Sequence, residues 1–158
     1  NNITNFIIDI RGNTGGDNTI IYPLLDFLKG PNFNVITLTD KNVFSSGRFA
    51  LIDLINIGSR TFGEEIGTSL NCFGNVKTFN LPNTNLIITY STKYFDYNPF
   101  DKKLIQYTNK DDMREIKSFK PIFYKPDYYV WNSLKDYKNG NDKVVDKAIK
   151  LFKAYVKK

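Results

Sequence analysis

The stretch Phe6-Ile7-Ile8-Asp9-Ile10-Arg11-Gly12-Asn13-Thr14-Gly15-Gly16 decides how this chain reads. Phe6 to Ile10 is a short apolar run, long enough for a buried strand and too short for a helix. The polar, glycine-rich residues Arg11 to Gly16 then read as a turn at the carboxyl end of that strand. Thr19 to Lys29 has helical periodicity and stops at Gly30-Pro31, so the unit is strand, glycine turn, helix.

The unit recurs downstream. Asn34 to Thr39 reads as a second strand, Asp40-Lys41-Asn42 as a turn, and Ser45-Ser46-Gly47 precedes a largely apolar helix from about Phe49 to Ile57 that Gly58 closes. Strands alternating with helices pair in parallel through crossovers, and ligands of such sheets bind beyond the carboxyl ends of the strands. The glycine turn and Ser45 both fall on that edge. Because Phe6 to Ile10 follows residue 1 with no polar lead-in, this strand is expected to be central, and the natural protein is expected to extend upstream.

After Arg60 the pattern changes. Thr61-Phe62-Gly63-Glu64, Val76 to Leu81 and Leu86 to Tyr90 are short β-rich runs separated by Asn, Gly and Pro, which reads as a β-rich extension. Asp96 to Lys125 is polar and weakly periodic, with a short helix expected over Asp111 to Phe119, and Pro126 to Val130 reads as extended. Val145, Ala148, Ile149, Phe152, Tyr155 and Val156 recur at helical spacing and form the apolar stripe of a C-terminal helix. The expected fold is α/β, one domain over residues 1–158, with a β-rich extension and a C-terminal helix.

Composition bounds the function. The 158 residues are 41% hydrophobic and 15% aromatic, enough for a core. No run approaches the roughly 18 to 20 apolar residues of a membrane helix. The net charge of +6 is concentrated between Lys135 and Lys158, where eight lysines face three aspartates, Asp136, Asp142 and Asp146. Interleaved with the apolar stripe, these lysines read as a solvated helix face, and no nucleic-acid partner is expected. With one cysteine, Cys72, and no histidine, neither an internal disulfide nor a zinc site is expected.

Two features carry chemistry. The glycine turn fits neither G-x-G-x-x-G nor a P-loop, so no nucleotide cofactor is expected. Adjacent glycines do let backbone N–H groups converge, and such groups near a helix N-terminus stabilise an oxyanion. Ser45 and Ser46 lie at the other strand end and offer a nucleophile, although a serine before an apolar helix also serves as an N-cap. A hydroxyl and oxyanion donors on one sheet edge form the constellation of acyl-transfer sites.

These residues resemble the tail-specific, or C-terminal processing, serine peptidases and their tricorn-core relatives. That family carries a strand ending in DLRGNxGG, here Asp9 to Gly16, and a later T-x-S-[AS]-x-E motif, here Val43-Phe44-Ser45-Ser46-Gly47-Arg48. The resemblance continues, in order, through Phe62-Gly63-Glu64, Leu81-Pro82-Asn83, Pro126 to Val130, and Asp142 with the terminal helix. It implies a ClpP/crotonase-like core, hydrolysis of peptide bonds in a polypeptide substrate, no cofactor, and a secreted, envelope-bound or lumenal setting. It also implies Ser45 as nucleophile, the Ser46 N–H with Gly15 or Gly16 as oxyanion hole, and Glu64 and Ser69 as supporting residues.

Two departures stand out. Arg48 occupies the motif's glutamate position, and Ser69 occupies the position of the lysine used by dyad members. A serine at its ordinary pKa needs an adjacent base, so the base is missing or supplied from upstream, as tricorn-type members supply a histidine. An inactive peptide- or ligand-binding domain on the same fold is the alternative. A basic module acting through Lys135 to Lys158 is a third reading.

Overall fold

A computed structural model describes residues 3–30, 32–100, 102–108 and 120–155, which form two compact units. One comprises residues 1–68 and 124–158, the other Ser69–Phe123.

The first unit is built on a four-stranded parallel sheet in the order β1-β2-β3-β7, with β1 Asn5–Asp9, β2 Asn34–Thr39, β3 Arg60–Gly63 and β7 Tyr128–Tyr129. Every residue of β2 from Val35 to Thr39 is buried, so both faces of the sheet are covered there. Parallel registry aligns Asp9 with Leu38 and Thr39 with Gly63, which brings three strand ends to one edge. The expected α/β class with parallel pairing is what the chain adopts. β1, expected to be central, instead lies at an edge of this sheet and is only half-buried. Its Phe6 ring packs edge-on against Phe27 and Phe33, at 5.6 and 5.1 Å, so the apolar run is covered by aromatic rings beside the sheet.

Between the strands, Asp17 caps a short 3-10 turn (Asn18–Ile21) that leads into helix α1 (Tyr22–Leu28). The continuous helix expected over Thr19 to Lys29 is broken in this way because Pro23 lacks an N–H and sits at the start of an α-helix. Helix α2 spans Ser46–Asn56 and begins three residues earlier than expected. Helices α3 (Leu134–Lys138) and α4 (Lys143–Tyr155) follow β7.

Helix α4 covers one face of the sheet. Val144, Ala148 and Phe152, spaced by one helical turn, join Ile36, Leu38, Phe62 and Val130 in a core cluster. Of the expected stripe, Ala148 and Phe152 are core residues and Val145 packs partly buried against them, whereas Ile149 is 38% exposed and Val144, outside the expected stripe, is buried. The side chains of Tyr155 and Val156 lie outside the described residues. Asp142 sets the entry to α4 by accepting the N–H groups of Val144 and Val145 at 3.1 and 3.2 Å.

The second unit is an antiparallel meander of β4 (Cys72–Asn80), β5 (Ile87–Asn98) and β6 (Lys103–Tyr107). The β-rich extension therefore starts near Ser69 and not at Arg60, since Thr61-Phe62-Gly63 is paired into the parallel sheet. The short helix expected over Asp111 to Phe119 lies outside the described residues. No helix of the described residues is long and apolar enough to cross a membrane.

Candidate functional site

Two loops meet at the carboxyl edge of the parallel sheet. The first, after β1, is closed by a bond from the Asn13 N–H to the Ile10 carbonyl at 3.1 Å and anchored by the Gly12 N–H to Asp40 Oδ1 at 3.0 Å. The second runs from Asp40 to α2. Asn13 joins them: its carbonyl accepts the Phe44 N–H at 2.9 Å and abuts Gly47, where an added Cβ would stand 2.6 Å from that oxygen. Gly47 is glycine because the first loop occupies the space of its side chain.

Ser45 sits at this junction with φ 52° and ψ −120°, a conformation costly for any residue with a Cβ. It is exposed, stands at the N-cap position of α2, and its side chain makes no capping hydrogen bond. Elsewhere Asp17 and Ser133 do cap, each accepting a backbone N–H of the following turn. The ordinary structural use of a serine before a helix is therefore absent at Ser45, while the backbone strain is present. A strained turn that lifts a serine hydroxyl at the start of a helix is the arrangement of nucleophile elbows.

Gly15 presses against this serine. An added Cβ on Gly15 would lie 2.6 Å from Ser45 Cβ, 3.1 Å from its Oγ and 3.3 Å from the Ser46 nitrogen. Gly15 and Gly16 have φ of 118° and 130°, which glycine alone adopts readily, and around Gly16 an added Cβ would meet nothing within 4 Å. The Gly15 N–H donates to Asn13 Oδ1 at 2.9 Å. Ser46, the first residue of α2, is buried, with its nitrogen on the side facing Gly15. The fold thus brings Gly15 against Ser45 and Ser46, with Gly16 the next residue of the turn.

Arg48, the third residue of α2, is 1% exposed, with its guanidinium 4.6 Å from the centre of the Phe49 ring. A cation where the resembled family has an acid is thereby held inside the first turn of the helix. Ser69 belongs to the second unit, buried and bonded to Asn71 Oδ1 at 2.6 Å while accepting the Ile122 N–H at 2.8 Å.

Beside the loops lies a cleft of about 420 Å³ whose walls include Arg11, Asp40, Glu64, Trp131, Tyr137 and Asp142. Glu64 is placed there by its backbone, which exchanges bonds with Thr39: its N–H donates to the Thr39 carbonyl at 3.1 Å and its carbonyl accepts Thr39 Oγ1 at 2.8 Å. Gly63 must be glycine, since an added Cβ would stand 2.0 Å from the Thr39 carbonyl oxygen.

Arg11 forms a fork to Asp9 at 2.6 Å and to Asp142 at 2.7 Å, tying the loop after β1 to the start of α4. The bond with Asp9 raises the Arg11 pKa above its ordinary value, against the lowering effect of partial burial. For Asp142, burial pushes the pKa up, but the bonds from Arg11, the Val145 N–H and Asn132 outweigh it and hold the carboxyl at about 2. The sequence had pointed to the glycines and the serine. It had not pointed to Asn13 as their link, although Asn13 stands inside the quoted motif. Nor had it placed Trp131 and Tyr137 in the cleft, because their neighbours there are distant in sequence.

No protein-family model matches this sequence, and no curated protein matches it. Among solved structures, a "putative peptidase" from Parabacteroides merdae is similar, with a TM-score of 0.58 and 17% identity over 94% of this chain and 51% of that one. A lipoprotein from Streptococcus agalactiae is similar at a TM-score of 0.49 and 14% identity, over 87% of this chain and 54% of that one. The chain spans about half the length of either structure. Its mixed α/β fold, with one parallel and one antiparallel sheet, is similar to part of the Parabacteroides protein.

Proposed function

We propose that this chain is the core of a serine endopeptidase of the tail-specific or tricorn-core type, on a ClpP/crotonase-like fold. Ser45 is the nucleophile, the Ser46 N–H and one N–H of the glycine pair, Gly15 or Gly16, form the oxyanion hole, and the substrate is an extended polypeptide. The observation that carries this reading is the Ser45 backbone. Its φ of 52° is a strained conformation, with no cap bond to account for the serine, held against two positive-φ glycines and a helix start. Strain at an exposed hydroxyl is what a catalytic elbow requires and what a structural serine avoids.

The chain contains no histidine and has Ser69 at the position of the dyad lysine, so the base for the Ser45 proton is missing from this chain or supplied upstream. Its span of about half the Parabacteroides structure leaves room for such a contribution. Glu64, in the cleft next to the loops, orients that base or the substrate.

Cleavage of an unstructured polypeptide by the longest natural form of the protein tests this, with Ser45→Ala as the control. Loss of cleavage by at least about 1000-fold in the variant is expected; equal cleavage by both forms rejects Ser45.

The second reading, an inactive peptide- or ligand-binding domain, is favoured by one observation: Arg48 is buried in the turn where the family carries glutamate. It predicts saturable binding of an extended peptide with no turnover in any form of the protein.

A further inference from the structure

We infer that Asn13 is a positioning residue that reserves the Gly15 N–H for itself, so that the oxyanion hole consists of the Gly16 and Ser46 N–H groups. This deepens the proposed reading and rests on Ser45 as nucleophile.

The inference starts from what Asn13 does with each of its groups. Its side-chain oxygen takes the Gly15 N–H at 2.9 Å, and its carbonyl takes the Phe44 N–H, also at 2.9 Å, from the residue immediately before Ser45. Its own N–H closes the turn onto the Ile10 carbonyl at 3.1 Å. One residue therefore holds the glycine turn and the serine loop in fixed register. The strained φ of Ser45 persists because the surroundings impose it, and Asn13 forms the bond to its preceding residue.

The same bond removes Gly15 as a donor. For Gly15 to serve a developing oxyanion, its N–H must leave Asn13 Oδ1, at the cost of an unsatisfied amide oxygen. Gly15 contributes space instead: its missing Cβ would lie 3.1 Å from Ser45 Oγ and 3.3 Å from the Ser46 nitrogen, so any side chain there blocks the approach to both. Gly16 is exposed, with open space on its Cβ side, and Ser46 is the first residue of α2. Backbone N–H groups from a turn and from a helix start are suited to act as a donor pair for an oxyanion.

The test uses the longest natural form of the protein, amide NMR and a fluorophosphonate that phosphonylates Ser45. In the wild type, phosphonylation is expected to move the amide protons of Gly16 and Ser46 downfield and to leave Gly15 in place. Asn13→Ala is expected to raise Gly15 amide exchange at least tenfold and to slow phosphonylation at least tenfold. Asn13→Asp, which keeps the acceptor oxygen, restores Gly15 protection. Movement of the Gly15 amide in place of Gly16 overturns the inference, as does a phosphonylation rate in Asn13→Ala equal to wild type. If wild-type Ser45 takes no reagent, the nucleophile reading fails and this role with it, a result distinct from labelling that ignores Asn13.

Discussion

Ser45 carries the most information of any side chain here. A residue with a Cβ at φ 52° and ψ −120° stores strain of about 1–3 kcal/mol, which glycine does not feel. Ser45→Gly should therefore raise the stability of the chain by about 1–2 kcal/mol, read as an upward shift of the denaturation midpoint, while Ser45→Ala should leave the strain in place. A midpoint unchanged or lowered in Ser45→Gly would mean that the turn is relaxed. Gly15→Ala has the opposite sign. It combines a clash at 2.6 Å with φ 118°, and we expect a loss of about 2–3 kcal/mol together with loss of reagent access to Ser45. The serine and the glycines were legible in sequence because they occur in short, local, ordered motifs. The strain was not, because a dihedral is set by the loop from the other strand, whose Asn13 and Gly47 contacts join residues distant in the chain.

The secondary-structure elements were legible where a local pattern sufficed and misread where partners decide. The run Asn34 to Thr39 is a strand with the bounds expected, since from Val35 to Thr39 β2 is buried on both faces and apolar or β-branched. β1 has the same local character yet lies at the edge, because strand order is a property of the sheet and not of the strand. The misplacement of Val144 and Ile149 in α4 has the same origin: Val144 and Val145 have equal hydrophobicity, and only packing on Phe62 and Leu38 selects the face through Val144, Ala148 and Phe152. Ala148→Asp should then cost about 3 kcal/mol or more by burying a charge, whereas Ile149→Asp should fall within about 1 kcal/mol. Equal costs would return the stripe to the Ile149 side. The pairing of β7 with β3 depends on Asp127, whose carboxylate accepts the Thr61 N–H at 2.8 Å and its hydroxyl at 3.0 Å. Asp127→Ala should destabilise the chain by about 1–3 kcal/mol, measured by chemical denaturation.

Distant parts of the first unit are tied by charge as well as by the core. Arg11 and Asp142 lie 131 residues apart and are joined by a two-bond fork, while Asp136 is bonded to Lys143 and to its own cap Ser133. The Lys143 bond first, then those from Ser133, hold the Asp136 carboxyl at about 2, and Asp142 is also held at about 2. Carboxyls held below their ordinary value of 3.8 contribute stability that is complete above about pH 4 and is lost as pH falls through about 2. Stability followed by urea denaturation should therefore decline between pH 4 and pH 2, and Asp142→Asn should flatten part of that decline. A profile unchanged by Asp142→Asn would show that the fork does not survive in solution.

The central claim is that Ser45 is a presented nucleophile, and it is tested most directly by the mass of the chain after exposure to a fluorophosphonate. The longest natural form should gain one phosphonyl group that peptide mapping places on Ser45, and Ser45→Ala should gain none. If neither this chain nor the longest natural form gains the group under conditions that label a known serine peptidase, the strained serine is not a nucleophile and the binding-domain reading takes its place.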